Sequence, residues 1–79
     1  MSTSYERCER IEVLRECLAT ISGQSLWLET KAGEALCFKA GVLANNLLLP
    51  KYDSDLALDE AEKQYKELKS QYIKLKKGA

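Results

Sequence analysis

Between Asp53 and Ala79 the apolar positions Leu58, Ala61, Tyr65, Leu68, Tyr72 and Leu75 recur at steps of 3, 4, 3, 4 and 3. Side chains three and four residues apart share one face of an α-helix, so this spacing predicts an amphipathic helix whose narrow apolar seam is covered by other helices. A shorter pattern of the same kind opens the chain: Cys8, Ile11, Leu14, Leu18 and Ile21 advance by 3, 3, 4 and 3. Thr3 followed three residues later by Glu6 is a capping-box signal, which starts a first helix at about Ser4. Gly23 supplies a left-handed stop, so this helix is expected to end near Ser22. Glu6 is placed to pair with Arg10 one turn on, with Glu9, Glu12 and Glu16 among Arg7 and Arg15 on the polar face.

The middle segment supports two readings. Leu26, Leu28 and Thr30 alternate with Trp27 and Glu29, and Lys31-Ala32-Gly33 could turn the chain into a second strand ending at Lys39. That gives an α+β alternative with a β-hairpin at about 25–39. Against it, residues 32–49 are rich in Ala and Leu, have a single β-branched residue in Val42, and continue helically through Leu36, Ala40, Leu43 and Leu47. The favoured expectation is one helix from about Ser25 to Leu48. Gly33 and Gly41 would each cost it up to ~1 kcal/mol relative to Ala, offset by close approach of a neighbouring helix.

Pro50 ends the second helix because the residue before a proline resists helical geometry, and Asp53, Ser54 or Asp55 can cap the third. So short a link makes the long helices antiparallel neighbours. The predicted architecture is all-α, a three-helix domain spanning residues 1–79 in which helices 2 and 3 form an αα-hairpin and the N-terminal amphipathic helix lies against it.

Composition narrows the function classes. The chain has 79 residues, 46% of them apolar and 30% charged, and its twelve Lys and Arg balance twelve Asp and Glu. This is the profile of a folding globular chain with no overall field toward nucleic acid or anionic membrane. The uncharged run at residues 40–50 is too short to span a bilayer, and the charged first ten residues lack a signal core. Cys8, Cys17 and Cys37 form no C-x-x-C pair, and the chain has no histidine, so no metal or cofactor site is expected. On one helix Cys8 and Cys17 stand ~13 Å apart along the axis, beyond disulfide reach. Reduced thiols in a cytoplasmic protein are the expectation.

Three features are candidates for function. In the second helix Leu36, Cys37, Phe38, Val42, Leu43, Leu47, Leu48 and Leu49 occupy all sides, more than two neighbouring helices can cover. Leu36, Phe38, Val42, Leu43 and Leu47, with the seam residues Leu58, Tyr65, Leu68, Tyr72 and Leu75, are therefore the candidate interface. The third helix is also polarised: Asp53, Asp55, Asp59, Glu60 and Glu62 give −5, and from Lys63 onward six lysines against Glu67 give +5. This order complements the helix macrodipole, and two such helices in antiparallel order would match opposite charges. Lys63, Lys66, Lys69, Lys74, Lys76 and Lys77 form a candidate nucleic-acid contact, although both interleaved tyrosines belong to the seam and the helix has no arginine.

The polar residues form no catalytic constellation. Without histidine there is no ordinary general base at neutral pH, and Cys37 in an apolar helix reads as a core residue. The expected function is non-enzymatic: a helical protein–protein interaction module acting as a homo-oligomer, or as an adaptor, assembly factor or inhibitor on a larger partner protein. The alternative is a nucleic-acid-binding module.

Overall fold

The computed structural model describes residues 3–78. Its elements are α1 (Ser4–Leu26), α2 (Lys31–Asn46), a 3₁₀ turn (Pro50–Tyr52) and α3 (Asp55–Gly78). Among the described residues there is no strand, and the segment that could have formed a β-hairpin is divided between the end of α1, a four-residue link and the start of α2.

Both expected boundaries in this region move. Gly23 lies inside α1 without a positive φ, and the helix passes through it to Leu26. The stop is made further on, where Trp27, Leu28 and Glu29 donate to the carbonyls of Gln24, Ser25 and Leu26 at 3.2 Å, tightening the last turn. Glu29 then takes φ 51°, the left-handed conformation that reverses the chain. Thr30 caps α2 by accepting from the Gly33 N–H at 2.9 Å. The second helix is thus shorter than the expected Ser25–Leu48, because a side-chain cap at Thr30 competes with continuation of the helix.

The other ends follow their local signals. Thr3 accepts from the Glu6 N–H at 3.1 Å, and Ser54 accepts from the Ala57 N–H at 3.2 Å. Leu49, before Pro50, is extended (φ −74°, ψ 146°). The 3₁₀ turn after it buries Tyr52, which completes the core at this end of the molecule.

The helices run up, down and up. Arg15 meets Ala44 and Ser22 meets Cys37, so α1 and α2 are antiparallel; Arg7 meets Asp53 and Arg10 meets Asp59, so α1 and α3 are parallel. The α2–α3 neighbourhood exists as predicted, but the most extensive packing is between α1 and α2. Small residues allow it. A Cβ on Gly33 would stand 2.6 Å from the Ser25 carbonyl oxygen, so only glycine admits this approach. At Gly41 the nearest atom, Ser22 Oγ, would be 3.8 Å away, and the position is looser.

One core joins all three helices: Leu14, Leu18 and Ile21 from α1, Leu36, Ala40, Leu43 and Ala44 from α2, and Leu58, Ala61 and Leu68 from α3, closed by Leu47 and Tyr52. Tyr65, Tyr72 and Leu75 of the predicted seam are half-buried against it. Cys8, placed on the apolar stripe of α1 by its spacing, is exposed. No described helix is long and apolar enough to cross a membrane.

Candidate functional site

Burial divides the predicted interface residues into two sets. Leu36, Leu43, Leu47, Leu58 and Leu68 are inside the monomer, where intramolecular contacts consume most of their apolar surface. Phe38 and Val42 are exposed, at 71% and 39%, on the part of α2 that its neighbours leave open. Tyr65, Tyr72 and Leu75 stand between these limits.

An open, largely apolar groove lies between the parallel helices α1 and α3. It has a volume of about 470 Å³, with Val13, Leu14, Cys17, Leu58 and Tyr65 along its floor and walls, and Glu6, Glu9, Arg10, Glu62 and Lys66 at its rim. Val13, 61% exposed, carries the apolar surface outward. Sequence reasoning did not single it out, since it is one residue of an ordinary surface helix. The available signal was an isolated β-branched side chain on the glutamate-rich face. Tyr65 is half-buried in the groove, and burial, followed by the neighbouring Cys17, raises its phenol above the usual pKa.

Charge around the groove is organised by α1. Arg10 reaches Asp59 and Glu62, each at 3.0 Å, and Asp55 at 3.8 Å, so its partners are across the groove and not at Glu6, the residue that local spacing favours. Hydrogen bonding to Asp59 raises its pKa above the ordinary guanidinium value against the opposing effect of burial. Arg7 hydrogen-bonds Asp53 at 2.8 Å. These links join two parallel helices whose macrodipoles repel, setting α1 cations against the acidic first turns of α3. Arg15 acts in the same way on α2. Its Nε donates to the Ala44 carbonyl at 3.0 Å, giving that helix the cation that its own last turn lacks.

The lysines are arranged differently. Lys63, Lys66, Lys69, Lys74, Lys76 and Lys77 are all exposed, and no ion pair among the described residues reaches them. Helical geometry separates them: Lys66, Lys69 and Lys76 follow Glu62 on the α1 side, whereas Lys63 and Lys74 point away.

A second open hollow, about 350 Å³, lies between α2 and α3 beside Phe38, Val42, Tyr52 and Gln64. It is more polar and no charged row borders it. Ser22 Oγ sits 3.0 Å from the Cys37 carbonyl and 3.1 Å from its sulfur, which fixes Cys37 at the α1–α2 contact. All three cysteines are free thiols, and no group of three or more His, Cys, Asp or Glu among the described residues is placed to hold a metal. Comparison of the chain with protein-family models, with curated proteins and with solved structures returns no match.

Proposed function

We propose that this protein acts by binding another protein along the α1/α3 face, without chemistry of its own. The observation that carries the reading is the open groove between α1 and α3, apolar at its centre around Val13 and Tyr65 and charged at its rim. Apolar surface ringed by polar groups is the usual anatomy of a protein-binding patch, where the central side chains supply affinity and the rim supplies specificity. A cytoplasmic adaptor, assembly factor or inhibitor fits this description.

Affinity capture from the native host, with wild type and Val13→Glu as baits, tests the proposal. A protein retained by the wild type and lost with Val13→Glu is the expected result, provided that the variant keeps a helical circular dichroism spectrum. Identical retention by both baits would refute a role for this face.

The exposed, unpaired lysines favour a second reading as a nucleic-acid contact. Tyr65 and Tyr72, half-buried in the seam, are poorly placed to stack on bases. Binding of a labelled oligonucleotide that weakens steeply with salt and is lost on charge reversal of the lysines would support this reading over apolar contact.

A further inference from the structure

We propose that the partner on the α1/α3 face is a second copy of this chain, laid antiparallel. The inference rests on the reading of that face as a protein-binding surface and adds what binds there.

A second stripe runs along α3. Asp55, Asp59, Glu62, Lys66, Lys69, Ile73 and Lys76 recur at steps of 4, 3, 4, 3, 4 and 3, one residue beyond the buried seam and on the side of α1. Its sign changes once, between Glu62 and Lys66. On the acidic side Asp55, Asp59 and Glu62 all pair with Arg10, while Glu6 and Glu9 at the groove rim add to the excess of negative charge. On the basic side no ion pair among the described residues reaches Lys66, Lys69 or Lys76. The face is left with a negative half and a positive half, each unbalanced within the monomer.

A twofold axis across the face midway between Glu62 and Lys66 balances both halves at once. It sets α3 antiparallel on its counterpart, bringing Glu62 beside Lys66 of the second copy and Asp59 beside Lys69, with the same contacts repeated by symmetry. A parallel arrangement would instead place like charges together. Val13 and Tyr65 share the groove with Glu62 and Lys66, so the apolar centre falls at the axis and is covered where the two copies meet. The molecule measures 42 × 17 × 15 Å, so α3 runs along a long face on which a second copy can lie.

Light scattering and sedimentation equilibrium on the full chain test the proposal. The wild type is expected to double its 8.9 kDa mass in the micromolar range. Lys66→Glu with Lys69→Glu should weaken dimerisation at least about tenfold by placing acid against acid. Val13→Glu should do the same by charging the centre, whereas Lys74→Glu, off the face, should leave dimerisation unchanged. Circular dichroism establishes that each variant folds. A wild type that stays monomeric to millimolar concentration overturns the proposal, as does a dimer indifferent to both the lysine pair and Val13. A monomer that still captures a host protein through Val13 refutes the second copy while keeping the interaction reading; a monomer whose captured proteins ignore Val13 refutes both.

Discussion

Two glycines in this chain do opposite things, and substitution separates them. Gly33 is helical, yet a methyl group there would meet the Ser25 carbonyl oxygen at 2.6 Å and the Thr30 hydroxyl at 3.1 Å, so Gly33→Ala must push α2 away from the end of α1. Gly23 is also helical, with nothing within 4 Å of its missing Cβ. Gly23→Ala should stabilise the protein by about 0.5–1 kcal/mol through helix propensity alone, while Gly33→Ala should destabilise by more than ~1 kcal/mol through overpacking. Thermal melting of the two variants checks both signs. In sequence the two look alike, and each could serve as a helix stop or as a contact point. What tells them apart is how near another backbone comes, and no local pattern records that distance.

For α3 the element was legible at the level of faces. A 3-4 spacing fixes which side of a helix is apolar whatever covers it, so Leu58, Ala61 and Leu68 could be assigned to the interior from their intervals. Leu68→Ala should cost about 2–5 kcal/mol, because the side chain loses its transfer energy and leaves a cavity, whereas Lys69→Ala should stay within ~0.5 kcal/mol. Chemical denaturation of both variants tests the assignment, and equal midpoints would contradict it. The end of α1 was not legible. Gly23 offered a familiar stop signal, while the residue that turns the chain is Glu29, whose composition gives no hint of a left-handed backbone. Tyr52 was missed for a related reason: in a short link it resembles a surface residue, and only the 3₁₀ turn after Leu49 directs its ring inward.

At the scale of the whole molecule, pairing was harder to read than patterning. Arg10 could be matched in sequence only with Glu6, one turn away, because the parallel approach of α1 and α3 that brings it to Asp59 and Glu62 is a tertiary fact. The candidate interface was partly legible for the same reason: apolar excess on α2 showed in its composition, but which leucines remain outside depended on how three helices divide one core. That division also has a consequence for motion. The antiparallel pair α1 and α2 shares the most extensive packing, whereas the last turns of α3 hold on through the half-buried Tyr72 and Leu75. Amide hydrogen exchange should therefore show graded protection, slowest around Leu18 and Leu43 and much faster beyond Tyr72, where exchange proceeds by local opening. Uniform protection along all three helices would contradict it. Such an opening would release the lysine-bearing end of α3 while the remainder stays folded, making that end a segment whose order is set by its surroundings.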